Sequence, residues 1–125
     1  MPPDYPILIV GEMPQVRQFV NAVLSQAGFD AIQARDGTSA IAKVREEQGR
    51  ISLLLTEVNM DGMSGVVLAK SITAEYPAVS VLFMSGVAVS TEKLSRAVPG
   101  SAFIQKPFHP AALVQTVKEL LAFGH

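Results

Sequence analysis

The 125-residue chain contains no cysteine, no tryptophan, only two histidines and only two tyrosines. Without cysteine there is no disulfide, no thiolate zinc site and no thiol nucleophile, a composition that agrees with a reducing compartment. His109 and His125 are too few and too far apart in sequence to suggest a metal cluster. An excess of one charge is also missing: 10 basic residues face 11 acidic ones, for a formal net charge of −1. No candidate helix carries a basic stripe, so binding of nucleic acid by this domain is not expected. Apolar runs such as Ile7–Val10 and Leu53–Leu55 fall far short of the roughly 20 residues that cross a bilayer. The opening segment Met1–Pro6 lacks the basic n-region and small-residue cleavage site of a secretory signal. A cytoplasmic protein without membrane contact is the simplest expectation.

What is present is enough apolar material for one core. Of all residues 49% are hydrophobic and 17% charged, and the length fits one compact domain, commonly about 100–150 residues. A single domain over 1–125 is expected, with its core over roughly 6–123. Ile7–Val10 is a short, wholly apolar, partly β-branched run between Pro6 and Gly11, as in a strand covered on both faces, and reads as β1. From Pro14 the residues Val16, Phe19, Val20, Val23, Leu24 and Ala27 recur at helical spacing, with Gly28 suited to a C-terminal cap; this is α1. The alternation continues with Asp30–Ala34 as β2, Gly37–Glu47 as α2, Ile51–Thr56 as β3 and Ser64–Tyr76 as α3. It ends with Val79–Met84 as β4, Ser90–Val98 as α4, Ala102–Gln105 as β5 and Pro110–Phe123 as α5. Strands alternating with single helices imply right-handed crossovers and a doubly wound, five-stranded parallel sheet with helices on both faces, the α/β class of flavodoxin-like (βα)5 architecture.

In open parallel sheets, ligands gather outside the carboxyl ends of the strands, where the strand order reverses. Four segments therefore matter: Gly11-Glu12-Met13, Glu57–Met63, Ser85-Gly86 and Lys106-Pro107. Within them Glu12, Glu57, Ser85 and Lys106 supply two carboxylates, a hydroxyl and an ammonium, a set suited to a phosphoryl group or other oxyanion. A nucleotide or flavin enzyme of the same topology is the competing class. The chain lacks a GxxxxGK[ST] cradle and a GxGxxG after β1, and neither tyrosine lies in a strand-end loop, so no organic cofactor is expected.

The segment Leu-Leu-Thr-Glu-Val-Asn-Met-Asp-Gly-Met-Ser-Gly at 54–65 resembles the β3 signature of response-regulator receiver domains, including the chemotaxis-regulator type. Ser85-Gly86 resembles their β4 switch residue and its small neighbour, and Phe103-Ile-Gln-Lys-Pro-Phe108 their β5 Lys-Pro motif. The turn Arg35-Asp-Gly37 followed by Ala40 also matches, and the motifs fall in order along essentially the whole chain. The resemblance implies two-component phosphorelay signalling, with transfer of a phosphoryl group from a histidine kinase to an aspartate at the end of β3. Here that phosphoacceptor position is Glu57. The magnesium-binding acidic pair after β1 corresponds to Gly11-Glu12, so one acid is missing; Glu12, Glu57 and the Asn59 backbone carbonyl remain as a weakened metal set. Lys106 matches the site lysine, Ser85 the switch hydroxyl and Phe103 the switch aromatic, while Asp61 stands where proline is frequent. The Lys106-Pro107 bond is one such domains often hold cis.

Glutamate is one methylene longer than aspartate, which moves its carboxylate by about 1.5 Å. In-line phosphoryl transfer depends on alignment, and a misplacement of about 1 Å costs on the order of a hundredfold in rate. The expectation is thus an atypical or pseudo-receiver, poorly phosphorylatable, that is no enzyme beyond receiver-type self-catalysed phosphotransfer. Two readings of Glu57 compete: a carboxylate that mimics the phosphorylated state by meeting Lys106 or Ser85, or a plain structural ion pair with Lys106. Glu12 as a solvated loop residue, Ser85 as a turn hydroxyl and Phe103 as core packing are the bland alternatives. The implied partners are a histidine kinase or another signalling protein, and a second copy through α4, β5 and α5. No output domain follows α5 in this sequence, consistent with a stand-alone receiver or one cut from a longer chain.

Overall fold

The computed structural model describes residues 5–123. Expectations resting on Met1–Asp4 and on His125 lie outside these residues. The order is β1(Ile7–Val10), α1(Pro14–Gln26), β2(Ala31–Ala34), α2(Gly37–Glu46), β3(Leu53–Glu57), α3(Gly65–Glu75), β4(Ser80–Ser85), α4(Thr91–Ala97), β5(Ala102–Gln105) and α5(Pro110–Phe123). The five strands form one parallel sheet in the order β2-β1-β3-β4-β5.

Strand side chains alternate between faces, and the core divides accordingly. Ile7, Ile9, Leu53, Leu55, Leu82, Met84 and Ile104 pack with Val20 and Leu24 of α1 and Leu113 and Val117 of α5. Leu8, Val10, Leu54, Val81 and Phe83 pack on the other face with Ala40 and Val44 of α2, Leu68 and Ile72 of α3, and Leu94 of α4. Both faces being covered explains why β1 and β3 read as continuous apolar runs.

The element boundaries differ from the sequence reading in a regular way. Ser64 and Ser90 were counted as helix but are N-caps, their hydroxyls accepting the N–H groups of Val67 and Lys93. Glu47, Tyr76 and Val98 are likewise C-cap residues. Strand β3 begins at Leu53, opposite Ile7, and β4 begins at Ser80, opposite Leu53. Each also runs one residue further than the sequence reading, to Glu57 and Ser85, because Glu57 pairs with Met84 and Ser85 with Gln105. Gly28 has φ +93° beyond α1 and Phe29 N–H reaches back to the Leu24 carbonyl, the left-handed helix ending its sequence suggested.

Candidate functional site

After β1 the chain first adds β2 on one side and then β3 on the other, so the strand order reverses beside β1. The loops following β1 and β3 flank that reversal, where such sheets place their sites. Glu57 closes β3 with its backbone fixed in the ladder, and its side chain is only 14% exposed. Lys106 follows β5, tied down by its N–H donating to the Ser85 carbonyl at 2.8 Å, and the Lys106-Pro107 bond is cis. The Lys106 ammonium donates to Glu57 Oε2 at 2.7 Å with the lysine side chain 25% exposed. A short, charge-assisted bond between two largely enclosed groups holds more firmly than a surface pair.

Gly11 is buried beside this pair. A β-carbon at position 11 would lie 3.2 Å from Glu57 Cγ and 3.8 Å from Glu57 Oε2. The Glu57 side chain therefore lies against the space that a side chain on residue 11 would fill. The carbonyl of Gly11 accepts a hydrogen bond from Arg17 Nη1 at 2.6 Å, and Arg17 Nε donates to Gln33 Oε1 at 3.2 Å. On the other side, Gly65 opens α3 so close to the strand end that a β-carbon there would meet the Glu57 carbonyl oxygen at 1.9 Å. Only glycine fits that approach.

The remaining candidates face elsewhere. Glu12 is exposed, and its Oε2 accepts the Asp61 backbone N–H at 2.9 Å, spanning from the β1–α1 loop to the β3–α3 loop. Asn59 is exposed in the latter loop. Ser85 is buried, and its hydroxyl accepts the Val87 N–H at 3.1 Å, a local turn contact; Glu57 is bonded to Lys106 and not to Ser85. Phe103 is half-buried and packs against the core cluster that holds Phe83 and Leu94. Lys106 and Glu57 thus come together as the sequence suggested, whereas Ser85, Phe103 and Glu12 each make separate contacts.

Toward a divalent cation the donor set is a poor fit. Position 11 offers no side-chain oxygen, Glu12 Oε2 is engaged by a backbone N–H, and Glu57 Oε2 is engaged by an ammonium. Among the described residues no three carboxylate or histidine groups gather as metal ligands. Magnesium demands nearly ideal octahedral oxygen geometry.

Sequence reasoning did not single out Arg17, the Glu12 contact with Asp61, or the need for glycine at 65. Arg17 sits in the first turns of α1, six residues from the carbonyl it reaches, and a cation there was the one available signal. The bond to Asp61 spans 49 residues, beyond any local pattern.

Comparison with known proteins agrees with this fold. The chain is 32% identical over 116 residues to the response regulator receiver protein CpdR of Brucella abortus, covering 92% of this chain and 95% of that protein. It is 29% identical to the sensor kinase CckA of the same organism, covering 92% of this chain but 12% of the kinase. Among solved structures, the chemotaxis protein CheY4 of Vibrio cholerae superimposes with a TM-score of 0.82 at 27% identity, covering 91% of this chain and 96% of that one. Residues 7–118 match the family described as response regulator receiver domain, and the chain belongs to that family.

Proposed function

We propose that this receiver domain is a two-component signalling module that is not switched by phosphorylation at Glu57 and is held in one state by the Glu57–Lys106 pair. The 2.7 Å bond between them carries the reading. The site lysine, whose ammonium suits a phosphoryl oxygen, is bonded to the domain's own carboxylate. The extra methylene of Glu57 also moves its oxygens from the place an aspartate would present for in-line attack. The domain is accordingly a protein-binding module and not an enzyme.

A fixed state is favoured over a mimic of the phosphorylated one by Ser85. A carboxylate standing in for phosphate would accept from the switch hydroxyl as well as the lysine, yet Glu57 Oε2 accepts from Lys106, and the contact of the Ser85 hydroxyl is as acceptor of the Val87 N–H in its own turn. The domain would act by presenting a surface to a histidine kinase or another signalling protein in the cytoplasm, or to a second copy through α4, β5 and α5. Exposed Val87, at 59%, lies just ahead of α4 and suits such a contact.

The test is incubation of the protein and its Glu57→Asp variant with a small phosphodonor and magnesium, followed by intact mass. No added phosphate is expected on the natural chain. A stable phosphoryl adduct mapped to Glu57 would overturn the reading.

A further inference from the structure

Three side chains tie together the loops around Glu57: Arg17 to the Gly11 carbonyl, Glu12 to the Asp61 N–H, and Lys106 to Glu57. None of the three contacts needs an ion. We infer that Gly11, Glu12 and Glu57 form one linked set: Gly11 makes room for Glu57, and Glu12 braces the β3–α3 loop through Asp61, so that side chains alone hold the site and close it to divalent cations. This rests on the reading of Glu57 as a position that no longer accepts phosphate.

The linkage follows from space and charge. An aspartate at position 11 would place its β-carbon 3.2 Å from Glu57 Cγ and its carboxylate beside that of Glu57. Glu57 Cγ would have to give by a few tenths of an ångström while its Oε2 stays bonded to Lys106, and like charges would be crowded together. Restoring the acid alone therefore does not restore a metal site. Shortening Glu57 to aspartate alone leaves position 11 without an oxygen. The two changes together supply both carboxylates and, because aspartate is shorter by about 1.5 Å, draw that of residue 57 back from Lys106. Glu12 meanwhile spends its oxygen on an N–H, and a cation would have to displace that bond before using it. As the brace needs an acceptor oxygen and no charge, glutamine serves in its place; as a metal ligand it would be a poor substitute.

Mn2+ added to the isotope-labelled protein separates these roles, because a bound paramagnetic ion broadens the amide resonances around it. In the natural chain, selective broadening at Gly11–Met13 and Asn59–Asp61 is not expected, and the Asp61 amide exchanges with solvent at the same rate in EDTA and in magnesium. Glu12→Ala is expected to speed that exchange about tenfold, the scale of one charge-assisted hydrogen bond, and Glu12→Gln to restore it. Gly11→Asp combined with Glu57→Asp is expected to gain selective broadening, and Gly11→Asp alone to show none. Selective broadening in the natural chain or in Gly11→Asp alone would overturn the inference. So would unchanged Asp61 exchange in Glu12→Ala, or no broadening in the double variant. Phosphate uptake is read independently by mass: a chain that is phosphorylated yet excludes Mn2+ overturns the proposed function and leaves the brace intact.

Discussion

Lys106 Nζ stands 2.7 Å from Glu57 Oε2 with both side chains mostly shielded from solvent, so each group depends on the other to offset its lost hydration. Removing one partner strands the other, which costs more than the pair itself contributes. Lys106→Met is expected to lower unfolding free energy by about 1–3 kcal/mol in urea titration. Adding Glu57→Gln should recover much of that loss, because a neutral amide tolerates the site. Equal stability of the single and double variants would show that the carboxylate never needed its partner.

Gly11 and Glu57 touch, so changes at the two positions should not add. Gly11→Ala presses a methyl group to 3.2 Å from Glu57 Cγ and is expected to destabilise the protein. In the Glu57→Ala background, which removes that Cγ, the same change should be better tolerated, with a coupling of about 0.5–3 kcal/mol as for other contacting pairs. A thermodynamic cycle of the four proteins by denaturant melts measures this. Strict additivity would mean that the glutamate yields to a side chain at 11 without strain.

Gly65→Ala meets backbone and not a flexible side chain, since the new β-carbon would fall 1.9 Å from the Glu57 carbonyl oxygen. Helix α3 would have to shift away from the strand end. A loss of about 3 kcal/mol or more is expected, or failure to fold. Thermal melting followed by circular dichroism is sufficient to detect it, and a melting temperature equal to the natural protein's would refute the close approach.

Asp36 caps α2 by accepting the Ser39 N–H at 2.8 Å. The backbone hydrogen bond from Ser39, then its side chain, then the nearby Arg35 charge hold the Asp36 carboxyl below its ordinary value of 3.8. A carboxyl with a lower value in the folded state stabilises fully above its unfolded value, and that stabilisation is lost as pH falls through the folded one. Relative to Asp36→Asn, which keeps a capping oxygen but no charge, the natural protein should therefore be the more stable at neutral pH. The difference should shrink below about pH 4. Urea melts of both proteins across that interval check the sign; a gap that widens in acid would contradict it.

The strands were legible wherever both faces are covered, because Ile7–Val10 and Leu53–Leu55 have no polar residue to interrupt them. Helix ends were legible to within a residue, and the errors fell on Ser64, Ser90, Glu47, Tyr76 and Val98, which flank helices without belonging to them. Composition does not separate a cap from a first or last turn when the same residue types suit both. At the site, Glu57 and Lys106 could be placed together because one ends β3 and the other follows β5, both at the carboxyl end of the sheet with only β4 between them. The partner of Glu12 could not, since it depends on where an exposed loop carries the Asp61 amide. The meaning of Gly11 was read only as a lost acid; that it also provides room for Glu57 needed the packing around position 57.

The seat of α3 on β3 has a mechanical consequence. Gly65 lies flush against the Glu57 carbonyl, and its own N–H donates to the Val58 carbonyl at 2.8 Å. Strand end and helix start are thus joined without intervening slack, and a displacement of one drags the other. Any lever in this domain must have its fulcrum elsewhere. The turn from Ser85 to Ser90, which leads into the short helix α4 and is exposed at Gly86, Val87 and Ala88, lies outside that joint.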